Sequence, residues 1–197
     1  MRRISDLSHA EILAYNLRDN GTAVTVFADT QAARVERARG FIRSIIEHLR
    51  RPVKIWELGC SAGDISGWFS AGHEVTGVDI VPAAVDLART RYPAMNVWLG
   101  PVEAVVPQSC DILVLCEFLE HVDDPIHLVK TWLPIAEFAV IGHPLHDPGN
   151  VEPGHIWSYD QLDYDTWLEL GGHTPIETHL FSGPFPEMVM GASRRST

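Results

Sequence analysis

The chain has 197 residues, 46% of them hydrophobic and 21% charged, the balance of one globular domain that buries a core. This excludes a disordered chain or a fibre, and no apolar run reaches the roughly 18–20 residues of a membrane-spanning helix. Fifteen Lys and Arg against 26 Asp and Glu give a formal charge of −11, which argues against a protein that coats nucleic acid by neutralising phosphates.

No apolar stretch follows Arg2-Arg3, so no secretory signal is expected. Residues 8–19 read as a helix, opened by the capping-box spacing of Ser8 and Glu11 and stopped by Asn20-Gly21. Residues 31–50, after Thr30, form a longer helix with Val35, Ala38, Ile42, Ile45, Ile46 and Leu49 at helical spacing. Pro52 ends it. Val53–Leu58 then reads as a strand, Gly59–Gly63 as a small-residue turn, Ile65–Ala71 as a helix and Glu74–Val78 as a strand. Pro82–Tyr92 is a helix with an early proline, Asn96–Leu99 a strand, and Asp111–Cys116 an apolar strand of the kind covered on both faces. Pro125–Leu133 is a helix and Phe138–Gly142 a strand. After a helix at Asp160–Leu170, the strands Ile176–Phe181 and Met188–Ala192 flank a Gly183-Pro184-Phe185-Pro186 turn, which makes an antiparallel hairpin. The fold class is α/β: a doubly wound, mostly parallel sheet of seven strands closed by a C-terminal antiparallel hairpin.

The three cysteines, Cys60, Cys110 and Cys116, include no CxxC pair, so neither a disulfide framework nor a cysteine zinc site is indicated. A reducing, cytoplasmic location follows most simply. Seven of the ten histidines lie between His121 and His179. The Pro- and Gly-rich stretch 143–157 follows the fifth strand, beyond the strand ends where ligands sit in such sheets.

The turn Glu57-Leu58-Gly59-Cys60-Ser61-Ala62-Gly63 follows the first strand, and Asp79 closes the second, 20 residues after Gly59. Glycines there let the backbone approach a ligand. The helix expected behind them would offer its N-terminus to an anion, and an acid at Asp79 can accept both hydroxyls of a ribose. A dinucleotide fingerprint needs G-x-G-x-x-G; counted from Gly59, Ser61 and Asp64 occupy its other glycine positions. A turn without any ligand explains the glycines and serine but not Glu57 and Asp79 in register.

The turn and its acid resemble those of class I S-adenosylmethionine (SAM) dependent methyltransferases, in which an acid and any residue precede Gly-x-Gly-x-Gly; Glu57, Gly59 and Gly63 match and Ser61 replaces the middle glycine. The resemblance covers roughly residues 35–192 and implies the seven-stranded order read above. It implies that Gly59, Cys60, Ser61 and Gly63 border the methionine part of SAM, that Asp79 holds the ribose and that Ile80 packs on the adenine. Where the family has an acid after the third strand this chain has Gly100-Pro101. Val102 would then offer its backbone N–H to the ring, and Glu103 would stand in for the acid. One domain, 1–197, is expected, with residues 1–50 a helical cap over the cofactor cleft and 51–197 the SAM-binding core.

After the fourth strand, Cys116-Glu117-Phe118-Leu119-Glu120-His121-Val122 resembles the motif of the ubiquinone-biosynthesis O-methyltransferases, and its ExxEH form occurs also in small-RNA 3′-terminal 2′-O-methyltransferases. In both groups two glutamates and a histidine, with a later histidine, can hold a divalent metal; here these are Glu117, Glu120, His121 and His155. Residues at i, i+3 and i+4 share one face of a helical turn. A metal lowers the pKa of a hydroxyl acceptor and orients it toward the sulfonium methyl. Without metal the same segment shapes the cofactor pocket, and Glu117 borders SAM. His121, His143 or His155 then serves as general base.

The resulting expectation is methyl transfer from SAM to a small-molecule hydroxyl, with no nucleic acid partner. The alternatives are a metal-assisted 2′-O-methyltransferase acting on an RNA end and a SAM-binding protein without catalysis.

Overall fold

The computed structural model describes residues 1–5, 11, 14, 32–147, 154–182 and 187–196. The predicted helix at 8–19, apart from Glu11 and Ala14, the cap candidate Thr30 and the 183–186 turn lie outside them. In chain order the elements are β1 (Arg2–Arg3), α1 (Ala32–Leu49), β2 (Lys54–Leu58), β3 (Glu74–Asp79), α2 (Pro82–Arg91), β4 (Asn96–Leu99), β5 (Cys110–Cys116), α3 (Pro125–Trp132), β6 (Ala136–Pro144), β7 (Trp157–Ser158), α4 (Gln161–Leu170), β8 (His173–Phe181) and β9 (Met188–Arg195).

Seven strands form one sheet in the order β4-β3-β2-β5-β6-β9-β8. The first five are parallel, and β9 runs antiparallel to both β6 and β8. From β2 the chain winds outward to β3 and β4, then returns to β5 and β6 on the other side. The strand order therefore reverses between β2 and β5, and the crevice beyond their carboxyl ends is where such sheets bind ligands.

Strand residues alternate between two apolar layers. Ile55, Ile112 and Val114 face α1 through Ala38, Phe41, Ile42 and Ile45. Trp56, Leu58, Leu113 and Leu115 face α3 and α4 through Leu128, Val129, Trp132, Tyr164 and Trp167. This two-sided burial is why the strands read as continuous apolar runs. Helix α1 lies against the Ile55, Ile112 and Val114 face of the sheet; most of the rest of the expected cap over the cleft lies outside the described residues. The first turn of α1, through Arg34, reaches the crevice.

Three local differences separate sequence from structure. The predicted helix at Ile65–Ala71 is a series of turns with one 3-10 turn at Gly67–Phe69. Gly67 approaches Tyr92 so closely that a Cβ would stand 2.6 Å from its ring. Glycine and serine are weak helix formers, and tertiary contact decides such a segment. The two-residue strands β1 and β7 pair antiparallel, a contact with no sequence signal. Lastly, Trp98, an aromatic residue within the predicted strand Asn96–Leu99, is 45% exposed on the edge strand β4.

Candidate active site

The glycine turn leaves β2 with Gly59 at φ +73°, Ser61 at +44° and Gly63 at +78°. Its amides are consumed internally. Gly59 and Cys60 donate to the Val78 carbonyl at 2.9 and 3.0 Å, and Gly63 donates to Cys60 at 2.8 Å. Ser61 donates its amide to Asp79 Oδ2 at 2.8 Å. The anion-binding helix end expected behind the turn is therefore not formed.

Asp79 also accepts from the Val81 amide at 2.9 Å. A carboxylate has about four acceptor sites, so capacity remains for two ribose hydroxyls. Burial raises its pKa, and the amides of Val81 and Ser61 pull it back. Glu57 is 3% exposed and lies beneath the turn, where Ser66 donates to it through both amide and hydroxyl. Burial pushes its pKa up to about 7 against those bonds. Glu57 thus ties the two ends of the turn together.

The other expected cofactor residues follow the strand ends. The Cys60 side chain packs inward against Gly77, leaving its backbone to the crevice. Ile80 is half-buried, Val102 buried in the 3-10 turn Val102–Ala104, and Glu103 exposed.

A second constellation begins where β5 ends. Glu117 takes φ +51°, a left-handed conformation that interrupts the backbone. The 3-10 turn begins only at Leu119 and covers Leu119–His121. Glu117 therefore does not share a helical face with Glu120 and His121. It meets Arg34 instead, whose Nη1 lies 3.5 Å from both carboxylate oxygens. Burial raises the pKa of Glu117, and Arg34 opposes the rise.

Glu120, His121 and His155 do converge, with one donor atom from each within 4.8 Å of the others. The stretch after β6 is laced onto the 3-10 turn to achieve this. Ile156 donates its amide to the Glu120 carbonyl at 2.7 Å. Trp157 Nε1 donates to Val122 O and Tyr159 Oη to Leu119 O, both at 2.7 Å.

Both imidazoles have one nitrogen committed. His121 Nδ1 sits 2.9 Å from Gly154 O, and His155 Nδ1 is bonded to the Asp147 carboxylate. With Nδ1–H donating in each, the lone pair falls on Nε2. Glu120 is fully buried, and among the described residues neither of its oxygens has a hydrogen-bond partner. Burial and the nearby Glu117 push its pKa well up. Burial and His155 push His121 down to about 3, so its ring is neutral at neutral pH.

A buried carboxylate with no donor is costly unless a proton or a cation neutralises it. Among the described residues, Glu117, Glu120 and Asp147 put three carboxylates near this centre, and Arg34 is the cation acting on both glutamates. With all three ionised, the excess of two negative charges equals the charge of a divalent ion; a proton on Glu120 is the alternative relief. One carboxylate and two imidazoles suit Mn²⁺, Fe²⁺ or Zn²⁺ better than Mg²⁺.

His143 does not join this centre. It is fully buried on β6, its ring 4.7 Å from that of Trp167 and 5.1 Å from that of Tyr159. Its Nδ1 lies 3.0 Å from Pro144 O, and burial lowers its pKa to about 4. Phe118, not singled out in sequence, links the two constellations. Its Cδ2 stands 2.5 Å from where a Gly59 Cβ would be.

Residues 56–134 match the family model described as a methyltransferase domain. A ubiquinone biosynthesis O-methyltransferase from Bordetella pertussis is 29% identical over 92 residues, 43% of this chain and 38% of that protein. The relative from Proteus mirabilis is 29% identical over 86 residues, covering 40% and 35% of the two chains. This chain thus spans well under half the length of the curated relatives it matches. Magnesium protoporphyrin IX methyltransferase from Synechocystis with bound SAM superposes with a TM-score of 0.77 at 14% identity, over 98% of this chain and 99% of that one. An N-methyltransferase from Bradyrhizobium japonicum with S-adenosylhomocysteine (SAH) gives 0.72 at 16% identity, over 96% and 99%. Strand order, glycine turn and matched segment together give the chain the fold of class I SAM-dependent methyltransferases, with a segment similar to a methyltransferase domain. The matched segment carries both the glycine turn and the Glu117–His121 motif.

Proposed function

We propose that the protein transfers the methyl group of SAM to a hydroxyl of a small-molecule acceptor, and that Glu120, His121 and His155 hold a divalent metal beside that hydroxyl. The observation that carries this reading is the buried, partnerless Glu120 carboxylate set against two imidazoles whose Nδ1 atoms are already engaged. The matched O-methyltransferase relatives and the charge of −11 favour a small acceptor over nucleic acid.

Gly59–Gly63 and Asp79 hold the cofactor in this reading, with Asp79 on the ribose and Ile80, Val102 and Glu103 around the adenine. Glu117, fixed by Arg34, stands between the cofactor crevice and the metal centre. When bound, the metal supplies Lewis acidity that lowers the pKa of an acceptor hydroxyl. The chain supplies alignment, since the sulfonium is already activated and the main requirement is to place oxygen, carbon and sulfur in line. His121, neutral at neutral pH, and His155 each offer Nε2 in that arrangement. In a metal-free site His155, oriented by Asp147, is the group placed to accept the hydroxyl proton. Among the described residues no helix is long and apolar enough to cross a membrane. The three cysteines are free and buried, which suits a reducing, cytoplasmic setting.

The test is methyl transfer from SAM to a panel of catechols and monophenols in chelator-treated and Mn²⁺-reconstituted protein. The reading expects catechol methylation that is lost with chelator and restored by Mn²⁺. Undiminished turnover in chelator would contradict the metal's role, and methylation confined to amine or carbon acceptors in a wider panel would contradict the hydroxyl.

A further inference from the structure

We propose that Asp147 is a positioning residue for this centre: it fixes the tautomer and orientation of His155 and thereby sets the affinity for metal. The inference rests on reading Glu120, His121 and His155 as a metal centre. Asp147 itself belongs to no motif in the sequence.

Three observations place it. Asp147 is fully buried, and its carboxylate takes the Nδ1–H of His155. A carboxylate on that nitrogen leaves the lone pair on Nε2, and ligating histidines are commonly oriented in this way. The backbone that delivers Asp147 is also unusual. His146 adopts φ +55°, a left-handed conformation that non-glycine residues enter at a cost. That turn is held by the His146 amide donating to Tyr159 O at 2.8 Å, next to the parallel bridge between Leu145 and Tyr159. Tyr159 in turn donates its hydroxyl to Leu119 O, at the start of the 3-10 turn that carries Glu120 and His121. One residue therefore couples the bend before Asp147 to the turn that bears the other two donors. The partner of His121 is a carbonyl, that of Gly154. Asp147 is the charged member of the outer shell, and a carboxylate raises the donor strength of the ring it holds.

The experiment compares wild type with Asp147→Ala, Asp147→Asn and Glu120→Gln. Mn²⁺ and Zn²⁺ binding is measured by calorimetry on chelator-stripped protein. The tautomer of His155 is read by nitrogen-15 NMR on the same metal-free samples. The expected result is an Nδ1–H tautomer in wild type, loss of that preference in Asp147→Ala, and a 10- to 100-fold weaker metal affinity. Asp147→Asn, which keeps an oxygen acceptor without the charge, should retain the tautomer and lose less affinity; it also serves should the alanine variant fail to fold. If the Asp147 variants bind metal as wild type does while Glu120→Gln does not, the inference is wrong and the metal centre stands. If wild type binds neither metal, the metal centre itself fails.

Discussion

The two halves of the site are built on opposite principles. Around the glycine turn every carboxylate is answered: Glu57 by Ser66, Asp79 by the amides of Ser61 and Val81. Around the 3-10 turn after β5, Glu120 has no donor at either oxygen among the described residues, and Glu117 meets Arg34 at 3.5 Å in a left-handed backbone. The carboxylates of the first half are satisfied without a ligand, and the proposed function gives this preformed surface to the cofactor. The second is left short of positive charge, a condition that costs several kcal/mol unless a proton or an ion relieves it. In the proposed function, recognition sits where the fold is satisfied and activation where it is not.

Breaking the second half should have the largest effect. Glu120→Gln keeps the shape and removes the charge; metal affinity should fall more than about 100-fold, read by calorimetry, with SAM binding unchanged. Asp79→Ala attacks the first half. It removes the acceptor for the ribose and the brace on Ser61, so SAM affinity should drop roughly 10- to 100-fold, or about 1.4–2.7 kcal/mol, while metal uptake is retained. Gly59→Ala places a Cβ 2.5 Å from Phe118 at a φ of +73°. Thermal unfolding should show a loss of about 1–3 kcal/mol, and Phe118→Ala in the same chain should return only part of it, because the backbone conformation still disfavours alanine.

The last effect concerns pH and leaves function untouched. Glu57 is raised by burial from 4.5 to about 7, so between those values the folded state holds a proton that the unfolded state has released. Its contribution to stability is present in full below pH 4.5 and is lost as pH rises through 7. Glu57→Gln should remove that decline, flattening the dependence by about 1–3 kcal/mol, as thermal melts from pH 4.5 to 7.5 would show. His143, lowered by burial, acts in the opposite sense: its contribution is lost as pH falls through about 4.

The central strands β2, β5 and β6 were legible because burial on both faces writes itself as unbroken apolar runs; β4 and α4 were also clear, and the structure adds the cap of α4 by Asp160 with Asp163. The segment after the glycine turn was misread because its apolar residues have helical spacing, while Gly67 against Tyr92 decides the backbone. Glu120, His121 and His155 could be named from a motif. Glu117 could not be separated from them, since the i, i+3, i+4 argument assumes one continuous helical turn and Glu117 sits before its start. Asp147 was invisible. Nothing in a Pro- and Gly-rich loop says that a carboxylate and an imidazole eight residues apart will meet.

The most direct test of the division between the halves is calorimetric titration of SAM into chelator-stripped and Mn²⁺-loaded protein. The account predicts micromolar binding in both forms, with affinities within about threefold of each other. SAM binding that appears only after metal is loaded would contradict a preformed cofactor half, and binding in neither form would contradict the assignment of the glycine turn.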